Sequence, residues 1–204
     1  MLYNISVLSF SGVLLQILGF VYQVLISRMA GAEGLGLYQL VFPVYSVVMA
    51  GSISGVRMAV TSLSAGLHAG DVSGIRVLVR RSIAVFLGLY SLTGIPVLCM
   101  HRRIAEQIIH EPHAAFALAA LIICLFLSGF EAIFESLFLG IGHTKYTAVS
   151  NLLEQGVKIF VILFLLRTWG DVSNAARTAS LIALGMVLCE IPVLIWLIWM
   201  YARI

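Results

Sequence analysis

Six ionisable side chains fall inside apolar stretches, and they set the chemistry this sequence can do: Arg57, Glu131, Glu135, Glu154, Lys158 and Glu190. A charge in hydrocarbon is costly, so each must find a partner, water, headgroups or, for a carboxyl, a proton. Glu131 and Glu135 stand four residues apart, on one face of a helix. Two close carboxyls are less costly with a proton between them, which suits a proton-carrying site; Glu135 also lies near the end of its stretch, where water reaches it. Glu154 and Lys158 have the same spacing with the acid N-terminal to the base, the favourable order for an ion pair. That pair is either structural or opens toward a substrate. Glu190 precedes Pro192 by two residues. The carbonyl that a proline frees, beside a carboxylate, makes a cation or proton site or a helix–helix hydrogen bond. Arg57 cannot deprotonate, so it either snorkels to the interface or meets an anionic ligand. Gln16 and Gln23, seven residues apart, share a face as interhelical glue or cavity lining.

The elements that position these groups follow from composition. The chain has 204 residues, 61% hydrophobic and 10% charged, with mean hydropathy +1.08. Soluble domains carry about a quarter charged residues. The apolar blocks are long enough for helices that cross a bilayer, which takes about 20 residues, and too long and unalternating for a strand barrel. The fold class is therefore all-α, a polytopic membrane bundle of six transmembrane helices in one lobe. The spacing predicts spans at 5–27, 37–65, 82–100, 114–140, 148–166 and 178–201. The first has no basic n-region or cleavage site and reads as a retained helix, not a signal peptide.

Between the first two spans lies RMAGAEGLGLYQLVFP, Arg28 to Pro43, where Gly31, Gly34 and Gly36 let the backbone reverse. The second span exceeds the needed length and must tilt or bend, with Pro43, Gly51 and Gly55 as places to do so. Asp71 or Ser73 is expected to cap a short interfacial helix with Arg76, Arg80 and Arg81 at headgroup level. Pro96 marks a kink near the end of the third span. His101, His110 and His113 share a loop, but Pro112 breaks it and no further ligands complete a zinc set, so no metal and no cofactor are expected. Cys99, Cys124 and Cys189 sit in spans and read as apolar filler, not a disulfide framework. Trp196, Trp199 and Tyr201 suit an interfacial belt. The net charge of +3 is scattered and gives no case for nucleic acid. Basic residues divide five against five between the two sides, so charge does not orient the chain.

Several motifs together resemble a known family. Gly19-Phe20, Ile26-Ser27-Arg28 and Gly31-Ala32-Glu33-Gly34-Leu35-Gly36-Leu37-Tyr38-Gln39-Leu40 with Pro43 are similar to the opening of the stage V sporulation protein B group. Gly55, Ala59 and Thr61 resemble that group's G-x-P-x-A-x-S. Phe138, Gly140, Thr147-Ala148, Ser150, Leu153-Glu154-Gln155 and Val157-Lys158-Ile159 resemble its fifth-helix signature, and Cys189-Glu190 stands where it often has Gly-Glu. These are polysaccharide and lipid-linked oligosaccharide exporters of the multidrug/oligosaccharidyl-lipid/polysaccharide flippase superfamily, tied to cell-wall and sporulation chemistry. The resemblance implies alternating access in the cell membrane with cytoplasmic termini. Such proteins have about fourteen helices in two repeated halves, so this chain is expected to supply the first lobe, as a truncated or half-size form needing a second lobe or a dimer partner. The departures are Gln16 and Tyr22 where related flippases have arginines, Arg57 for the proline, and Glu135 to Gly140 for R-G-x-x-Q-G.

The expected function is therefore a transporter, not an enzyme, that flips a lipid-linked oligosaccharide or peptidoglycan precursor. Arg57, Lys158, Arg28, Gln16 and Gln23 would contact an anionic saccharide-lipid, and Glu131, Glu135, Glu154 and Glu190 would couple ions or protons. Membrane lipids are the other expected partner. The alternatives are a lobe of a cation-coupled multidrug exporter, which the excess of acids over bases favours, and a non-transporting membrane partner or degenerate fragment.

Overall fold

In hydrocarbon a chain must satisfy its own backbone, and long apolar runs with few breakers do so as helices. A computed structural model describes residues 2–67, 72–170 and 174–203, with side chains from residue 9 onward. The described residues form α1 (Leu2–Met49), a π-turn (Ala50–Ser54), α2 (Gly55–Ala65), α3 (Val72–Cys99), α4 (His101–Gln107), a 3-10 turn (Pro112–Ala114), α5 (Ala115–Gly140), α6 (Thr144–Trp169) and α7 (Ala175–Tyr201). No strand occurs among them. This is an all-α polytopic membrane bundle. Five helical stretches are long and apolar enough to cross a membrane, and the first, Ser9–Ala65, is long enough to do so twice.

The reversal in that first stretch is sharper than the glycine-rich motif suggests. Gly31 alone leaves helical geometry, with φ 70° and ψ 169°, a conformation a side chain would resist. Gly34 and Gly36 are already helical. Gly34 serves packing instead: a Cβ there would lie 2.8 Å from Thr178 Cγ2 on α7. The two arms of α1 run back along each other. Ile26 and Leu35, Gln23 and Tyr38, Tyr22 and Gln39, and Gly19 and Phe42 line one cleft at matched distances from Gly31. The second arm then loosens into the π-turn, where Ser52 Oγ donates to Val48 O at 2.7 Å.

The expected short helix carrying Arg76, Arg80 and Arg81 is instead the first part of α3, which runs unbroken through the membrane stretch. Hydropathy marks where lipid begins, and nothing between Val72 and Ser82 stops helix propagation. Asp71 lies outside the described residues; Ser73 is inside α3. Pro96 sits in the last turn of α3.

α5 is the centre of the bundle. It packs most against α7 and also meets α2 and α3, while the arms of α1 cover α6 and α7. Glycines let these helices approach closely, as lipid-embedded bundles require. A Cβ on Gly129 would strike the Phe86 ring, one on Gly185 would strike Ile162, and one on Gly140 would meet Ser64 and, at 2.7 Å, the carbonyl of Thr61. Large apolar side chains such as Phe20, Leu92, Phe160 and Ile195 face outward, as lipid solvent permits.

These contacts set a stability test. Gly140→Ala is expected to destabilise the solubilised protein by about 1–3 kcal/mol, since the Thr61 carbonyl is backbone and cannot step aside. Gly156→Ala, where a Cβ meets nothing, is expected to be neutral or to stabilise by up to about 1 kcal/mol. Paired thermal melts in one detergent check both.

Candidate functional site

Three carboxyls share one depth. Glu131 lies nine residues before the end of α5, Glu154 ten after the start of α6, and Glu190 eleven before the end of α7. Those helix ends meet at one side of the bundle, where α5 turns directly into α6 and Phe134 packs on Tyr201. At 1.5 Å per residue all three sit about 14–17 Å in, near the middle of a core about 30 Å thick.

Their partners differ. Glu190 is 6% exposed; its Oε1 accepts from Ser128 Oγ at 2.7 Å and from Cys124 Sγ at 3.4 Å, both on α5. Glu131, 5% exposed, lies near enough to the Glu190 carboxyl to interact with it, and its Oε2 is buried without a partner. Glu131 thus has Glu190 of α7 as a neighbour, besides Glu135 one turn along α5. One helical turn suffices to send Glu135 to different neighbours: its Oε1 accepts from Ser150 Oγ on α6 at 2.8 Å, and its Oε2 lies 3.8 Å from Arg57 Nη2 on α2. Lys158 Nζ donates to Glu154 Oε1 at 2.5 Å, within α6.

Lys158 opens on the cleft between the arms of α1. This cleft, of about 460 Å³, is lined by Tyr22, Gln23, Tyr38, Gln39, Gln155 and Lys158 with apolar neighbours. Tyr38 OH donates to Met186 Sδ on α7 at 2.8 Å, and Gln155 Oε1 is buried without a partner. Two phenol rings, three amides and one cation suit a polar, hydroxyl-rich or anionic group. Glu154, Lys158 and Glu190 are near enough to interact electrostatically, so the cleft adjoins the carboxyl pair.

The remaining candidates lie apart. Arg57, exposed on α2, lines a groove of about 590 Å³ with Ser54, Thr61, Ser62, Glu135, Ser136 and Thr147. Arg28 is exposed and lines a rim pocket with Ser27 and Gln23. Gln23 joins that pocket to the main cleft, whereas Gln16, two turns earlier, is exposed and lines neither. At the far end Glu33, Glu111, His113 and Asn174 share an open cleft. His101 Nδ1 lies 2.7 Å from Leu98 O. Among the described residues no group of three His, Cys, Asp or Glu side chains could hold a metal ion.

Ser128, Ser150, Tyr38, Gln39 and Gln155 were not among the site residues expected from sequence, although all but Ser128 stand in the family-like motifs. Ser128 had a signal, standing three and seven residues before Glu131 and Glu135 on the same helical face. The others gather only through the hairpin at Gly31 and the packing of α6.

Residues 1–201 match the family described as "Polysaccharide biosynthesis protein". Stage V sporulation protein B of Bacillus subtilis (strain 168) is 26% identical over 154 residues, which is 74% of this chain and 30% of that relative. The matched part thus covers less than a third of the relative's length. No solved structure matches.

The Glu154–Lys158 pair gives a double-mutant test. Glu154→Gln, leaving a buried lysine without its counter-charge, is expected to cost about 3 kcal/mol. Glu154→Gln with Lys158→Met is expected to cost less than the sum of its parts, because neither charge is orphaned. Melts of the four proteins read the coupling directly.

Proposed function

This chain belongs to the polysaccharide biosynthesis protein family, and on that premise we propose that it is a lobe of a membrane exporter for a lipid-linked, anionic saccharide. It works by alternating access against a second lobe, in the cell membrane, with its termini in the cytoplasm. The observation that carries the reading is Lys158, a cation held at mid-depth by Glu154 and facing the cleft of Tyr22, Tyr38, Gln23, Gln39 and Gln155. The tyrosine rings stack on sugar faces, the amides bond hydroxyls, and the lysine meets a phosphate. Arg28 and Gln23 offer an anionic headgroup a first contact at the rim, and Arg57 lines the groove at the other end. Glu131 and Glu190, neighbouring buried carboxyls on α5 and α7, are the coupling element: binding and release of a proton or cation there changes the charge beside Lys158.

A second reading, a lobe of an exporter for organic cations, draws on three mid-depth carboxyls against one lysine. The two differ in the sign of the cargo.

Binding measured in nanodiscs distinguishes them. A lipid pyrophosphate saccharide is expected to bind, and Glu154→Gln with Lys158→Met to weaken it about ten- to a hundredfold, the worth of one charged hydrogen bond. Binding of hydrophobic cations, with the saccharide lipid ignored, would support the second reading. Translocation in liposomes is expected only where a second lobe is supplied, and flipping by this chain alone would overturn the half-transporter account.

A further inference from the structure

A groove of about 450 Å³ runs along the outer face of the bundle, between α2 and α3. Gly55, Val56, Ala59, Leu63 and Leu67 form one wall, and Gly74, Leu78, Arg81, Ser82, Val85 and Leu89 include the other. It is distant in sequence and in packing from the Lys158 cleft, and the transport reading makes no use of it. Its lining is apolar except where Arg81 and Ser82 enter. Arg76, Arg80 and Arg81 are exposed on α3, and among the described residues none pairs with an acid.

Depth decides what fits. The apolar run from Ser82 to Met100 measures 19 residues, or about 28 Å of helix, close to a hydrocarbon core of about 30 Å. Arg81 therefore stands at the boundary between hydrocarbon and headgroups. Below it the groove continues for the eight residues from Arg81 to Leu89, about 12 Å, which is most of one leaflet. Small residues keep it open there: a Cβ on Gly55 would meet nothing within 4 Å.

We propose that this groove is a binding site for one anionic phospholipid, with an acyl chain along Gly55, Ala59, Val85 and Leu89 and its phosphate on Arg81 beside Ser82. Arg76 and Arg80, nearer the aqueous end of α3, meet the rest of the headgroup. The occupant is a bilayer lipid and not a free phosphate, because the charge, midway along the groove, adjoins an apolar stretch from Arg81 to Leu89 that is most of one leaflet deep. It is not a partner helix, which would bury three unpaired arginines against its own backbone.

Native mass spectrometry of the purified chain, with phosphatidylglycerol and phosphatidylcholine of identical chains, tests the site. Wild type is expected to retain one phosphatidylglycerol in preference to phosphatidylcholine by about fivefold or more. Arg81→Ala is expected to bring that preference close to one, Arg81→Lys to keep part of it, and Ala59→Phe to lower retention of both lipids. Arg102→Ala, a basic residue of α4 at the other end of α3, is expected to leave the preference at the wild-type value. Equal retention of the two lipids by wild type, unchanged retention in Ala59→Phe, or a loss in Arg102→Ala equal to that in Arg81→Ala would each overturn the proposal. If Ala59→Phe fails to give a monodisperse helical protein, Gly55→Leu fills the same slot and reads the same outcome.

Discussion

The controlling constraint in this molecule is the cost of charge in hydrocarbon. Four carboxyls and a lysine are carried into the bundle on α5, α6 and α7, and each is met by a group that lowers that cost. Glu190 accepts from Ser128 and Cys124 and faces Glu131. Glu135 takes Ser150 and Arg57, and Glu154 takes Lys158. These bonds tie α5 to α7, α5 to α6 and α2 to α5, and the glycine contacts add α3 against α5, α6 against α7 and a second join of α2 to α5. Polar pairing and close packing thus specify the same arrangement, the consistency between levels that selects one structure.

The hairpin at Gly31 turns this arrangement into a site. If α1 ran straight, its Ser9–Ala65 stretch would outreach any bilayer. Folded at one residue, it sets Tyr22 and Gln23 opposite Tyr38 and Gln39 and leaves a cleft onto which Lys158 opens. A polar pocket is thereby held at membrane depth between helices, near the buried carboxyls of Glu131 and Glu190.

Much of the fold was legible because long apolar runs leave a membrane chain few choices. The membrane helices and the six charges within them can be read by eye, and Glu154–Lys158 follows from helical spacing alone. Three features were not legible, each for a definable reason. Glycines 31, 34 and 36 look alike in sequence, and only backbone geometry shows that Gly31 turns while Gly34 packs. Hydropathy located where α3 enters lipid but not where its helix starts, because a helix continues past the interface until something stops it. The Glu131–Glu190 contact joins residues 59 positions apart on different helices, and no local pattern encodes which face of α5 meets α7.

The central claim is that a water-accessible cleft at mid-membrane depth exposes the polar face of α6 while its opposite face meets lipid. Thiol labelling of intact membranes tests it, in a chain whose three native cysteines are replaced by alanine. Gln155→Cys, in the cleft, is expected to react with a charged, water-soluble maleimide. Phe160→Cys, 73% exposed on the bundle surface, is expected to resist it and to react only with a lipid-soluble reagent. Equal reaction at the two positions, or none at Gln155→Cys, would contradict the account.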